Sequence, residues 1–241
     1  MNVTARRRLF YVLLVAVILA AVGELGFSLS RHRSQISGMP AIRAAPQYVL
    51  VNQLGQSVNS TAFDGKVQIV AFLFPYCKEY CPLIAAELVR FNRDLQGTDL
   101  ANRVQFVAFN VDPAGSGAPQ LRAFMNEYGW NPRDTRWQFL TGSPQAIHHV
   151  VTDGYMVYYA KESLAQEARE EAQERAKGGH VAEPRVQNKL ADKAHVDYDV
   201  VHNDILELVG PDGQIRKIYD DGEKVPEKDL FADVRTLAAQ K

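Results

Sequence analysis

Cysteine is nearly absent from this chain: there are two in 241 residues, Cys77 and Cys81. So few thiols exclude a disulfide-dense scaffold and a four-thiolate zinc site, which would need two more sulfurs. The haem-attachment pattern Cys-x-x-Cys-His is missing, and no cysteine follows the N-terminal apolar run to accept a lipid. A surplus of positive charge is lacking too. Six Lys/Arg and one acid, Glu24, lie at or before Arg43, which leaves 21 bases against 27 acids beyond it, a body of about −6. An acidic body without a basic stripe excludes nucleic acid as the partner.

Fifteen consecutive apolar or small residues, 9–23, follow Arg6-Arg7-Arg8, and apolar character resumes after Glu24 as far as Leu29. Roughly 20 residues suffice to cross a hydrocarbon layer of about 30 Å. Residues 9–29 therefore read as a transmembrane anchor behind a cytoplasmic basic segment, 1–8. The alternative is a signal peptide cleaved near Ala21-Val22-Gly23. The basic cluster predicts a single-pass protein of the cell membrane with its body on the extracytoplasmic, periplasmic side. Residues 30–47, with Gly38, Pro40 and Pro46, read as a tether. Residues 48–241 remain for one domain, and at 46% hydrophobic residues overall such a length builds a core without staples.

The two cysteines stand four apart in Phe74-Pro75-Tyr76-Cys77-Lys78-Glu79-Tyr80-Cys81-Pro82, after an apolar run at 67–74 and before a helical pattern. The spacing predicts both thiols on the first helical turn, where unpaired N–H groups and the positive helix end favour thiolate. Positions i and i+4 share a helix face, so the sulfurs would converge on one ion or close a bridge. A purely structural bridge over so small a loop stabilises little. Spacing alone does not choose between metal binding and electron exchange.

Along the body, residues 48–51 and 57–58 read as a leading hairpin. The run 67–74, apolar on both faces, reads as a central strand. Leu83, Ile84, Leu88, Phe91 and Leu95 recur at helical spacing until Gly97. Further strands are expected at 104–110, 137–140 and 155–159, and helices at 118–128, 143–151 and 227–239. Gly210-Pro211-Asp212-Gly213 turns a hairpin between 205–209 and 215–219. This alternation gives a three-layer α/β domain in the thioredoxin arrangement. Residues 161–196 hold seven Lys/Arg and seven Asp/Glu with few large apolar side chains. They read as a solvated insertion, an exposed helix ended by Gly178-Gly179 and then a mobile loop.

Of six histidines, His202 lies just ahead of the terminal hairpin, whose entry in a thioredoxin-like domain lies against the cysteine-bearing helix end. Two thiolates and one imidazole are a soft set that suits Cu(I) and also holds Cu(II). His148 and His149 point about 100° apart on a helix and read as surface residues. His180 and His195 fall in the insertion.

The chain resembles the Sco/SenC family, membrane-anchored copper proteins of thioredoxin fold that help assemble the copper site of cytochrome c oxidase. The likeness rests on Cys77-x-x-x-Cys81-Pro82, Phe109-Asn110-Val111-Asp112-Pro113, Leu140-Thr141-Gly142-Ser143-Pro144, Tyr158-Tyr159, and Tyr198-x-Val200-x-His202 leading to Gly210-Pro211-Asp212-Gly213. It implies copper as the cargo and Cys77, Cys81 and His202 as the metal ligands. Lys78-Glu79-Tyr80 departs from the family's usual interval. Val201 stands where many relatives carry an acid, a place that Asp199 or Asp204 would have to fill.

The resemblance implies a metallochaperone rather than an enzyme, serving a cytochrome c oxidase copper-site subunit or another extracytoplasmic copper or thiol protein. The competing expectation is a thiol-disulfide oxidoreductase with Cys77 and Cys81 as redox-active thiols. A sensor signalling through the charged insertion is a third. His202 separates the first two, since metal binding requires it and disulfide exchange does not. An isolated peroxidatic cysteine has no counterpart here.

Overall fold

Every residue from Val67 to Leu73 is buried, and this strand organises the domain. The computed structural model describes residues 38–77, 79–178 and 197–240. Residues 40–241 form one unit and residues 1–39 another, of which only 38 and 39 are described. Among the described residues no helix is long and apolar enough to cross a membrane. The expected basic segment 1–8 and anchor 9–29 lie outside them, as do His180 and His195.

In chain order the elements are β1 (Arg43–Ala44), β2 (Val49–Val51), β3 (Ser57–Asn59), β4 (Val67–Leu73), α1 (Tyr80–Leu95), β5 (Val104–Asn110), α2 (Ala118–Glu127) and β6 (Trp137–Leu140). There follow α3 (Pro144–His148), which widens into a π turn at His149–Gly154, then β7 (Tyr159–Ser163), α4 (Leu164–Ala176), β8 (Tyr198–His202), β9 (Leu206–Val209), β10 (Gln214–Tyr219) and α5 (Glu227–Ala238). Six strands make one mixed sheet in the order β1-β10-β9-β4-β5-β6. β4, β5 and β6 run parallel, and β9 pairs antiparallel to β4. β2–β3 and β7–β8 are separate two-stranded ribbons.

Alternation along β4 and β5 sends successive side chains to opposite faces, and an aromatic cluster marks each face. On one face Phe106 stacks on Trp137 with ring centres 4.0 Å apart and meets Phe91 of α1, which in turn meets Phe231 of α5. On the other face Phe72, Phe109, Tyr48 and Tyr155 pack together. A sheet covered on both faces explains why β4 and β5 lack polar alternation.

Three expectations need correction. Cys77 is not helical: its N–H closes a turn onto the Phe74 carbonyl at 3.0 Å, and α1 begins three residues later. Pro82 fits there because the first helical turn leaves its N–H groups without helical partners. Leu83 is 52% exposed, on the outer side of α1. The strand expected at 155–159 begins only at Tyr159, because Tyr155 is drawn into the buried aromatic cluster and Met156 takes φ +59°. α4 is exposed apart from Leu164 and the partly covered Ala168, among the side chains described, as its charge pattern predicts.

Candidate metal centre

The β4 strand delivers the chain to the turn at Pro75-Tyr76, where Cys77 sits half-buried, and α1 then carries Cys81 on its second residue, fully buried. Cys81 Sγ accepts the Phe74 N–H at 3.4 Å. Both cysteines are free thiols. A hydrogen bond between the two side chains is the largest influence holding the Cys77 thiol down, to about 7, with backbone N–H groups adding to it. Burial, together with the neighbouring Cys77 sulfur, pushes the Cys81 thiol up. Of the two thiols, Cys77 is thus the readier to ionise and Cys81 the more resistant.

His202 reaches this pair from the far end of the sequence. It ends β8 and lies opposite Tyr159 of β7, so it is part of a strand rather than the connecting loop expected. Its Nε2 stands 3.6 Å from Cys81 Sγ, and its Nδ1 lies 3.0 Å from the Asn203 carbonyl. A carbonyl oxygen only accepts, so Nδ1 carries the proton and Nε2 presents a lone pair towards the sulfur. Burial lowers the basicity of His202 and keeps the ring neutral, the form that binds metal. Asp199 acts on all three groups through its charge.

Cys81 therefore lies beside His202 and acts on the Cys77 thiol, but Cys77, Cys81 and His202 do not all lie within 4.8 Å of one another. Among the described residues, the three donors that all lie within 4.8 Å of one another are Asp204, Asp221 and Glu223. Lys224 partners that acidic group, with Nζ 3.0 Å from Glu223 and 3.9 Å from Asp221. Nδ1 of His202 is oriented by the main-chain oxygen of Asn203. His148 and His149 are surface residues, as expected, and His149 pairs with Asp153 at 3.2 Å.

A family model described as SCO1/SenC matches residues 38–176, more than half of the chain. The chain belongs to the SCO1/SenC family. The SCO1 protein homolog of Bacillus subtilis (strain 168) is 25% identical over 194 residues, covering 80% of this chain and 82% of that protein. Among solved structures, copper-bound ScoI of Bradyrhizobium japonicum matches with a TM-score of 0.57 at 20% identity, covering 80% of this chain and 99% of its own. BsSco, a member of the Sco family of cytochrome c oxidase assembly proteins, matches with a TM-score of 0.59 at 23% identity, covering 85% and 99%. At these identities the solved structures establish the thioredoxin-like fold of this SCO1/SenC chain. The family match contains both cysteines and ends before His202.

Sequence reasoning missed the contacts around the candidate residues: the Phe74 N–H, the Asn203 carbonyl, and a contact from Tyr198 to Asp112. Tyr198-x-Val200-x-His202 did carry a signal. Its period of two places all three side chains on one face of a strand.

Proposed function

We propose that this chain binds copper through Cys77, Cys81 and His202 and hands it to the copper site of a cytochrome c oxidase. The approach of His202 Nε2 to Cys81 Sγ at 3.6 Å carries this reading, since it brings an imidazole with a free lone pair to the inner thiol of the pair, 121 positions earlier. Two sulfurs and a neutral imidazole are donors suited to Cu(I) and usable by Cu(II). Binding expels the thiol protons, and ligand exchange with a partner's own thiols or imidazoles returns them. Apart from those protons, only metal–ligand bonds are made and broken. Copper-bound structures in the fold and the place of BsSco among oxidase assembly proteins support the assignment.

A second reading uses the same sulfurs as reductant. The half-exposed Cys77, held down to about 7 with Cys81 behind it, suits a nucleophile and its resolving thiol. The Cys77 thiolate attacks a partner disulfide to form a mixed disulfide and release one partner thiolate; Cys81 then attacks the Cys77 sulfur, closing a Cys77–Cys81 disulfide, and the partner leaves as a dithiol carrying the two electrons. Anaerobic Cu(I) titration of the reduced protein against a competing chelator separates the two, beside His202→Ala and Cys77→Ser. Copper delivery requires one tight equivalent, weakened in both variants. Wild-type binding no tighter than His202→Ala, with cysteines that still cycle against a disulfide partner, leaves the oxidoreductase.

The same proposal places residues 9–29 in the membrane as an uncleaved anchor, with the domain on the extracytoplasmic side. Retention of the full chain in the membrane fraction after alkaline carbonate washing supports this, and release into the wash refutes it.

A further inference from the structure

The ribbon that carries His202 lies outside the main sheet, so its position depends on local anchors. Near His202 the contacts are main-chain: the Asn203 N–H donates to the Tyr158 carbonyl at 3.4 Å, and the Gly222 N–H to the Asp204 carbonyl at 2.5 Å. The other end of β8 has a main-chain bond, from the Leu164 N–H to the Asp197 carbonyl at 3.2 Å, and a side-chain anchor as well. Tyr198 donates its hydroxyl to Asp112 Oδ2 at 2.7 Å. Its ring centre lies 5.9 Å from that of Phe74, the residue whose N–H reaches Cys81, and Lys161 Nζ sits 3.2 Å over its face.

Asp112 is itself fixed. It is 3% exposed, its Oδ1 accepts the Gly115 N–H at 3.1 Å, and its carbonyl accepts from the Ser116 hydroxyl at 2.8 Å. Asn110 ties the same loop down by donating to the Ser116 carbonyl at 2.9 Å and to Thr141 at 3.1 Å. Gly115 leaves the space in which the phenol and carboxylate meet. A Cβ there would lie 2.1 Å from the Tyr198 hydroxyl and 2.3 Å from Asp112 Oδ2. Its backbone is not left-handed, so the requirement is for room.

We propose that Tyr198 is a positioning residue for copper binding: through Asp112, in the gap left by Gly115, it sets the strand that aims His202 at the cysteines. The inference rests on the assignment of Cys77, Cys81 and His202 as the copper site. Tyr198, Val200 and His202 share one strand face, and four residues of extended chain separate the anchor from the ligand by about 13 Å. Holding a strand at both ends restricts the swing of the ligand it bears, as outer partners orient ligands in other metal sites.

The test measures Cu(I) affinity by chelator competition in Tyr198→Phe, Gly115→Ala, the double variant and His202→Ala, with electron paramagnetic resonance of the Cu(II) forms. Tyr198→Phe should weaken binding by about 10-fold, the low end for loss of an outer partner. It should keep sulfur-to-copper charge transfer but lose nitrogen coupling. Gly115→Ala should do the same, and the double variant should be no weaker than the worse single, because both break one contact. Wild-type affinity and spectrum in Tyr198→Phe, with His202→Ala weakened, overturn the positioning role and leave the copper site standing. His202→Ala binding like wild type overturns both.

Discussion

Cys81 and His202 meet at 3.6 Å, sulfur to Nε2, although one opens a helix and the other ends a strand 121 positions later. Neither is placed by chance. The Phe74 N–H fixes the sulfur, and the Asn203 carbonyl fixes the ring.

The two thiols differ enough to be told apart by alkylation of the metal-free protein. Cys77, half-buried and held down to about 7, should react with iodoacetamide at a rate that rises through pH 7 and levels above about 8. Cys81, fully buried and pushed up, should stay unlabelled while the protein is folded. In Cys81→Ala, Cys77 loses its largest stabilising hydrogen bond, and its reaction midpoint should move to higher pH. Peptide mapping across pH 5.5 to 9 reads all three outcomes, and equal labelling of both sites would refute the asymmetry.

Arg43 of β1 pairs with Glu207 of β9 at 3.0 Å, and the carboxylate side chain is fully buried. Burial pushes Glu207 up to about 7, with Arg43 opposing. Because the folded value lies above the unfolded one, its contribution to stability is whole below about 4.5 and lost as pH rises through about 7. Arg43→Met removes the counter-charge. At pH 8 it should cost about 3–5 kcal/mol, as for a broken buried pair, and clearly less at pH 5, where Glu207 is protonated. Urea melts at the two pH values check the difference.

Phe72 is 1% exposed and touches Phe109 and Tyr155. Phe72→Ala should cost about 3–5 kcal/mol through transfer and cavity. The loss is to be read from chemical denaturation.

Met156 holds φ +59° with its side chain 71% exposed. Met156→Gly should change stability by less than about 1 kcal/mol, since relief of the left-handed conformation offsets the added chain entropy. Met156→Val should cost more, because a branched Cβ is poorly tolerated at positive φ. Thermal melts of the pair rank the two directly.

Much of this architecture was legible in the sequence, for identifiable reasons. Val104–Asn110 and Trp137–Leu140 matched their expected bounds because a strand buried on both faces reads as an unbroken apolar run. Ser143 announced its helix by capping chemistry, and its hydroxyl does accept the Ala146 N–H at 3.1 Å. The cysteines advertised themselves by rarity, whereas the turn that takes Cys77 off the helix depends on one backbone bond to Phe74 that no residue pattern encodes. Leu83 misled because helical spacing admits a residue at the margin of the stripe. The Tyr198–Asp112 contact joins positions 86 apart, and no local rule pairs them.

The ribbon of β7 and β8 is closed by the charged excursion between Ser163 and Tyr198, yet its ladder runs unbroken from Ser163 opposite Tyr198 to Tyr159 opposite His202. Register is therefore set at the base of the excursion, and the length beyond it does not enter the placement of His202. Doubling such a loop adds only about 0.6 kcal/mol of closure cost. Beyond the buried Leu164, the excursion should therefore tolerate changes of length. A reporter or a foreign docking module exchanged into it should leave His202 in its place opposite Tyr159.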